Sequence, residues 1–395
     1  MTKEFKVKPV GVGLVGCGNF ACITHLPNLH QSSLADLRWV CDLDEDRRSK
    51  AAAYSRAKGT GRVKDLWDDP AVEAVVIAVR DDQQALLCAE ALKAGKKVYL
   101  EKPGGGSSED IDGLLAQEKA CGSKVWMGFQ KRFSPAYQEA KRLLDQVGGA
   151  RNLFLRMTDD AWRWAIGYPP GALMRVDVCH FFDLARWFTG AEIASVYAIR
   201  SRPDDDSLLL QMTNGVPVSL IFSGHGTMDM PKERMEAINE RGGVTVEDYV
   251  EVCAFGYPDE AFRSTFPGII RKDLPVEAAD WLKGQGAQGL RKLRRKAWQA
   301  RQKVSNLAPG ESLLEEDARW AKIIPNFLRD QGWRSSLEAF LASVRKPSED
   351  FPAAGLQDAK CAAEAASAAR ESQESGEIQY LKTVSPAEPF APLPS

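Results

Sequence analysis

The chain has 395 residues, with 52 Lys and Arg against 54 Asp and Glu and a formal net charge of -2. A balance this near neutrality argues against a nucleic-acid polyanion or an anionic membrane surface as partner, and the length allows two domains with separate cores. No apolar run is long enough to span a bilayer. The opening MTKEFKVKP is charged and is expected to lead straight into a strand rather than to act as a signal peptide. Eight cysteines occur without C-x-x-C pairs, and the four histidines (His25, His30, His180, His225) form no H-x-x-x-H pair. That usage fits reduced, buried thiols, no disulfide framework and no metal centre, and a soluble cytoplasmic protein is expected.

The first apolar run, Val10–Val15, breaks into Gly16-Cys17-Gly18-Asn19-Phe20-Ala21. A strand ending in G-x-G-x-x-A and passing into a helix is the phosphate-binding turn of a dinucleotide fold. Gly16 allows the tight turn, Gly18 lets backbone approach a pyrophosphate, and Ala21 keeps the helix close to the sheet. The free N–H groups at the helix start face the phosphate charge. A second run, residues 37–41, ends in Asp42, about 20 residues past the glycines, where an acid accepts hydrogen bonds from ribose hydroxyls and repels a 2′-phosphate. Arg47 and Arg48 follow closely enough to meet a 2′-phosphate, so NAD is favoured with NADP as the alternative.

Further strands are expected at 74–79, 98–100 and 125–128, with amphipathic helices at 45–58, 84–94 and 109–120 between them. This alternation argues a parallel sheet covered on both faces. Glu101-Lys102-Pro103 follows the strand at 98–100. Ligands of such a sheet bind beyond the carboxyl ends of its strands, so Lys102 is delivered toward a bound cofactor, and the proline biases it toward an extended backbone. A lysine beside an oxidised nicotinamide, partly desolvated, can accept or return a substrate hydroxyl proton while hydride moves at the neighbouring carbon. The residues alone fit a surface lysine in a strand-to-loop turn equally well.

After about Ser134 the pattern changes. Strands are expected at 153–158, 195–200, 208–213 and 216–223, with Thr213-Asn214-Gly215 as a hairpin turn, which reads as an α+β part with a largely antiparallel open sheet. Before the second of these strands, residues 175–187 have helix periodicity. Asp177 and His180 then share one helix face as i, i+3 neighbours. The imidazole can act as acid or base, and the carboxylate can orient the ring or hold substrate hydroxyls. Asp183, one i, i+3 step further, is the other candidate orienter, and a lone histidine in an apolar helix also fits a plain core residue.

Residues 259–330 interrupt the sheet pattern. The basic stretch 290–303 (LRKLRRKAWQARQK) reads as a helix, and residues 311–317 as an acidic helix-like neighbour. Contact with RNA or anionic lipid is one reading; a solvated helix paired with its acidic neighbour is favoured. Residues 335–344 and 355–372 read as closing helices. The Pro/Ala-rich tail from Ser385 is expected to order only if it docks.

GCGNFA after the first strand, Asp42 after the second, EKP after the strand at 98–100 and D-x-x-H opening a helix resemble the glucose-fructose oxidoreductase/inositol dehydrogenase (Gfo/Idh/MocA) family. The segment Gly128-Phe129-Gln130-Lys131-Arg132-Phe133-Ser134-Pro135 is similar to that family's "GFNRRF-x-P". Met174 to Asp183, with Pro231-Lys232-Glu233-Arg234, resembles a branch reading "G-E-x-C-H-F-x-D" and later "P-K-E-R". The likeness is weakest over 259–330. The fourth strand departs from it: "A-T-P-x-x-x-H" is replaced by Ala78-Val79-Arg80-Asp81-Asp82-Gln83-Gln84.

The resemblance implies an α/β chain. Residues 1–130 form an NAD(P)-binding Rossmann domain with a doubly wound parallel sheet. Residues 131–395 form an α+β substrate and oligomerisation domain with a helical insertion at about 259–330. It implies Lys102 as the catalytic lysine, His180 as acid/base partner and Asp177 as the helix acid. It also implies Gly16, Gly18, Asn19, Phe20 and Ala21, with Asp42, Ala78, Val79, Glu101, Lys102 and Gln130, as the cofactor-binding set. Substrates in the family are sugars, sugar derivatives and cyclitols, and a homodimer or homotetramer is expected. Trp162 and Arg163, in Trp162-Arg163-Trp164 before the His180 helix, are substrate-binding candidates beside Lys102, Asp177 and His180, because rings stack on sugar C–H faces and arginine binds hydroxyls or anions. From the residues alone, tryptophans that pin the loop to the core are the favoured reading.

The expected activity is hydride transfer at a secondary hydroxyl, with Lys102 and His180 handling the proton. The alternatives are a redox-neutral NAD-dependent glycosidase or lyase with transient sugar oxidation, and a non-catalytic nucleotide-binding protein.

Overall fold

The computed structural model describes residues 8–161, 164–240, 242–307, 312, 314–346 and 353–381. In chain order the elements begin with β1 (Val10–Val15), α1 (Asn19–Ile23), α2 (His25–Gln31), β2 (Ala35–Cys41), α3 (Glu45–Ser55), β3 (Lys58–Thr60) and α4 (Lys64–Asp68). They continue with β4 (Ala74–Ile77), α5 (Asp81–Lys93), β5 (Lys97–Leu100), α6 (Ser108–Cys121), β6 (Val125–Met127) and α7 (Pro135–Asp145). Then come β7 (Asn152–Thr158), α8 (Leu173–Val176), α9 (Cys179–Thr189), β8 (Ile193–Arg202), β9 (Asp205–Met212), β10 (Pro217–Ser223), β11 (Glu233–Ile238), β12 (Gly243–Glu247) and β13 (Glu251–Phe255). The last are β14 (Arg263–Thr265), α10 (Val276–Leu282), α11 (Gly286–Ser305), α12 (Glu315–Ala321), α13 (Trp333–Arg345), α14 (Leu356–Ser375) and β15 (Gln379–Tyr380). The chain divides into two compact units that do not follow its order. One takes the residues to 133, then 175–183 and 332–364; the other takes 134–174, 184–331 and the residues from 365.

In the first unit the described residues form a six-stranded sheet, β3-β2-β1-β4-β5-β6, parallel throughout. β1 and β4 are buried over their whole length, as both faces of a parallel sheet are covered. The order reverses between β1 and β4, which opens the ligand crevice beyond their carboxyl ends. β3, Lys-Gly-Thr, is an edge strand that the sequence pattern does not announce, because it carries no apolar residue to mark it. Val12, Leu14, Val76 and Tyr99 share a core with Leu337, Phe340 and Leu341 of α13. Each such side chain contributes about 1.5–3 kcal/mol by leaving water.

In the second unit the described residues form a nine-stranded sheet, β14-β13-β12-β11-β7-β10-β9-β8-β15, in which β7 and β10 are parallel and the other pairs antiparallel. The sheet is thus mixed and mostly antiparallel. The Asn214-Gly215 hairpin closes with Met212 N–H donating to Val216 O at 3.0 Å, and Gly215 takes the left-handed backbone, φ 86°, that the turn needs. Leu153, Leu155 and Met157 of β7 are buried, while Tyr197, Ile199, Leu209 and Ile221 of the neighbouring strands are exposed. Among the described residues no helix is long and apolar enough to cross a membrane.

The segment expected as a helical insertion opens with a strand, β14, before α10, α11 and α12 pack on a core of Ala278, Leu282, Leu290, Leu293, Ala297 and Trp320. The basic helix does pair with acidic neighbours: Lys303 with Asp317 at 2.8 Å and Lys296 with Glu316 at 3.0 Å. One of its arginines is turned inward. Arg294, 1% exposed, donates to Asp248 Oδ2 at 3.0 Å, Met228 O at 2.9 Å and Asn326 Oδ1 at 3.0 Å. Arg329, 0% exposed, bonds the other Asp248 oxygen. The tail from Ser385 lies outside the described residues.

Candidate active site

The turn after β1 sits at the reversal point of the sheet. Gly16 has φ +93°, and a Cβ there would lie 2.4 Å from Ala78 O and 3.0 Å from Val79 Cγ1. Only glycine fits, because the turn packs directly against the segment leaving β4. Gly18 is different. Its backbone is ordinary (φ -68°), and a Cβ there would meet no described atom within 4 Å. The space over Gly18 is therefore left open by the described residues, which is the shape a pyrophosphate needs. Asn19 is exposed, Phe20 half-buried and Ala21 buried. The helix that follows is not continuous. The Thr24 hydroxyl donates to Phe20 O at 2.7 Å, and α2 restarts at His25.

Asp42 closes the same turn from β2. Its Oδ2 accepts the Cys17 N–H at 2.7 Å and its Oδ1 the Asp44 N–H at 2.9 Å. A carboxylate has about four lone-pair positions, so acceptor capacity remains for ribose hydroxyls. Arg48 donates to the Asp42 carbonyl at 3.0 Å, and Arg47 lies 3.8 Å from Asp44. The turn, the acid and the open ground above Gly18 fit an NAD-type dinucleotide.

On the other side of the crevice, Gln84 stands where the resemblance expects histidine. It is 2% exposed, donates to Val79 O and Lys102 O at 3.1 Å each, and accepts the Gly104 N–H at 2.8 Å. One amide thus ties the end of β4 to the loop after β5, which neither motif announced. Arg175 adds a second tie, to Asp81 at 2.5 Å and Gly105 O at 3.0 Å.

Lys102 extends from the end of β5 and donates to Val176 O, with Asp177 Oδ1 3.8 Å from its Nζ. This contact explains a departure from the expected helix. In one continuous helix over 175–187, Val176 O would accept the His180 N–H. Here the ammonium takes that carbonyl, the His180 N–H turns to Asp177 O at 3.2 Å, and the helix splits into α8 and α9. Asp177 therefore lies in the turn between two helices and not on a shared helix face with His180. His180 is 3% exposed, its ring edge-on to Phe129 at 5.7 Å. Burial pushes the adjacent Cys179 thiol up to about 12, with the Lys102 charge pulling the other way. Asp183, the other candidate orienter, faces the Arg132 guanidinium, with Nε donating to Oδ2 at 2.9 Å, and Arg132 also reaches Asp358 at 2.9 Å.

Two residues expected at the cofactor are built inward. Glu101 is 4% exposed, and its carboxylate meets His25 Nε2 at 2.8 Å and the Lys102 N–H at 3.2 Å. Gln130 is buried; with its amide turned to satisfy both neighbours, it donates to Gly128 O at 2.6 Å and accepts from Trp333 Nε1 at 3.0 Å. Trp162 and Arg163 lie outside the described residues.

Residues 10–129 match the model of the oxidoreductase family with an NAD-binding Rossmann fold. The chain is 32% identical over 254 residues to inositol 2-dehydrogenase 2 of Saccharopolyspora erythraea, covering 60% of this chain and 73% of that protein. It is 30% identical over 256 residues to an inositol 2-dehydrogenase of Streptomyces avermitilis, with 60% and 73% covered. The fold is similar to that of scyllo-inositol dehydrogenase from Lactobacillus casei, solved with NAD(H) and scyllo-inositol, at TM-score 0.67, 20% identity and 95% and 99% coverage. The chain belongs to the Gfo/Idh/MocA family of NAD-binding oxidoreductases.

Proposed function

We propose that this oxidoreductase oxidises, or in reverse reduces, a secondary hydroxyl of a sugar, sugar derivative or cyclitol. The observation that carries the reading is the meeting of Lys102 with the turn at Asp177, at the same end of the parallel sheet as the open ground over Gly18. NAD, when bound, supplies the hydride acceptor. Gly16, Gly18 and Asp42 would hold it, and Ala78 and Val79 would flank it. Lys102 takes the hydroxyl proton or returns it, and Asp177 fixes the ammonium and engages a substrate hydroxyl. His180 serves as the acid/base partner, and Trp162 and Arg163 remain candidates for substrate contact. The inositol dehydrogenase names of the relatives, and a neighbour solved with scyllo-inositol, favour a cyclitol within this class.

The test is NADH formation at 340 nm over a panel of inositols, hexoses and amino sugars, with NAD and NADP compared. Turnover of at least one polyol with NAD is expected. Release of an aglycone from a glycoside with no net absorbance change would point instead to the redox-neutral reading. Tight NAD binding with no reaction on any substrate would leave a nucleotide-binding protein. Asp42→Ser should narrow the preference for NAD over NADP, since it removes the charge that repels a 2′-phosphate.

We also infer a homodimer or homotetramer in which a second copy covers the exposed Tyr197, Ile199, Leu209 and Ile221. Contiguous apolar side chains on an open sheet mark such contacts. Light scattering on the purified chain would decide it. The cysteines all remain free thiols, and a reducing cytoplasm suits them.

A further inference from the structure

His25 has no part in the site derived above, yet it is 0% exposed and its ring lies against Phe20, two residues past Gly18. Its Nε2 is 2.8 Å from Glu101 Oε1, and the other Glu101 oxygen accepts the Lys102 backbone N–H at 3.2 Å. The ring is wedged edge-on between Phe20 of α1 and Tyr99 of β5, with centroids 5.6 Å away on each side. Its Nδ1 meets no hydrogen-bond partner among the described residues. Gly128 completes the slot: a Cβ there would lie 2.9 Å from Glu101 Cδ and Oε2.

A buried His–carboxylate pair is weak evidence for stability, since a well-packed apolar pair of similar volume would serve packing as well. What the pair adds is direction. A carboxylate held from one side by an imidazole can hold a backbone N–H on the other side at a fixed place. That N–H belongs to Lys102, whose side chain leaves the same strand end toward Val176 O and Asp177.

We infer that His25 and Glu101 are a positioning pair for Lys102, in which His25 fixes the Glu101 carboxylate and Glu101 fixes the backbone from which the lysine projects. His25 touches no reacting atom and acts only through Glu101. The inference rests on the reading of Lys102 given under the proposed function.

The experiment compares the full-length wild type with His25→Leu, which removes both ring nitrogens, and His25→Gln, which keeps a donor near the Nε2 position. Two readouts are taken. The first is the rate at which an amine reagent labels Lys102 relative to Lys124, followed by peptide mass spectrometry without substrate. The second is kcat, KM and the pH profile of kcat. His25→Leu should change the labelling ratio several-fold, lower kcat about ten-fold or more and displace the ionising limb of its pH profile, as misplacement of a reacting group does. The NAD Kd should stay within a factor of about two, and His25→Gln should recover most of the loss. A folded His25→Leu protein with the wild-type labelling ratio and pH profile overturns the proposal. Should His25→Leu fail to fold, Glu101→Gln is scored on the same ratio, and an unchanged ratio overturns the proposal there too. If Lys102→Ala itself keeps wild-type turnover, the catalytic reading of Lys102 falls, while the labelling ratio still decides whether His25 positions it.

Discussion

Both units bury charge, and they do so to opposite ends. Around Asp248 the charges close on themselves: Arg294 and Arg329 are 1% and 0% exposed and share one carboxylate that is 2% exposed. Around Lys102 they stay half open. The Lys102 side chain keeps 20% exposure, Asp177 lies 3.8 Å away, within ion-pair range but beyond hydrogen-bond distance, and a Cβ on Gly18 would meet no described atom within 4 Å. The first arrangement resembles a clasp holding the inserted helices to the sheet. The second has room for a reactant and a proton to move. Access, and not the number of charges, separates structural charge from reacting charge in this chain: the Asp248 cluster is sealed from solvent, while Lys102 keeps part of its side chain open.

The hardest test of that distinction is Asp248→Ala. It strands two buried guanidinium groups, and breaking such a pair costs about 3–5 kcal/mol. Urea unfolding should show that loss, while the NAD Kd of the protein still folded at zero urea should remain that of the wild type. A variant with wild-type stability would mean that the Asp248 cluster is no clasp. Lys102→Ala is the mirror experiment. kcat should fall by about two orders of magnitude or more, roughly 2.7 kcal/mol on the barrier, with the melting temperature little changed. Steady-state kinetics and a melt on the same preparation check both halves, and near-wild-type turnover would refute the role.

The half-open region is the legible one, for a physical reason. Ligand-facing turns need particular residues at particular spacings, so Gly16, Gly18, Asp42 and Lys102 stand out in the sequence, and β1 and β4 show as unbroken apolar runs. The inserted helices are harder. Arg294 sits among other basic residues of α11 and looks no different from its solvated neighbours, since the partner that makes it a core residue is 46 positions away. β11 is hidden because its alternation is broken on both faces: in Glu-Arg-Met-Glu-Ala-Ile the charged Glu233 is buried, while Ile238 is exposed beside the outward Arg234 and Glu236. The split between α8 and α9 cannot be read from periodicity, because it arises where a lysine distant in sequence takes a helix carbonyl. Glu101 and Gln130 show the same limit from the other side. Their motifs mark them as near the cofactor, and only the fold reveals that they face inward.

Asp206 offers a smaller probe of a closed charge. It is a buried residue of β9 with Gln373 donating to it at 2.7 Å, and burial pushes its carboxyl up from 3.8 to about 6. Because the folded pKa exceeds the unfolded one, the fold disfavours the ionised form. The penalty is full above about pH 6 and disappears as the pH falls below about 4. Asp206→Asn keeps an acceptor for Gln373 and should stabilise the protein by on the order of 2 kcal/mol at pH 7.5. Melting curves of the two proteins should converge near pH 4; a constant difference across the range would assign the effect to packing and not to charge.

The finest test lies within a single turn. Gly16 and Gly18 look alike in the sequence but are required for different reasons in the fold. At Gly16 the obstacle is the protein: φ is +93° and the Ala78 carbonyl oxygen stands 2.4 Å from where a Cβ would lie, so Gly16→Ala should cost about 1–2 kcal/mol or more in stability. At Gly18 the backbone is ordinary and the space is open, so Gly18→Ala should leave stability unchanged or raise it by roughly 0.4–1 kcal/mol through the unfolded chain. If a pyrophosphate occupies that space, the added methyl should weaken NAD binding by about ten-fold, roughly 1.4 kcal/mol. Titration of NAD into both variants, beside their melting curves, separates the two costs. Equal NAD affinity for Gly18→Ala and wild type would move the cofactor away from this turn, whereas a loss of affinity with full stability would show that Gly18 is kept for the ligand alone.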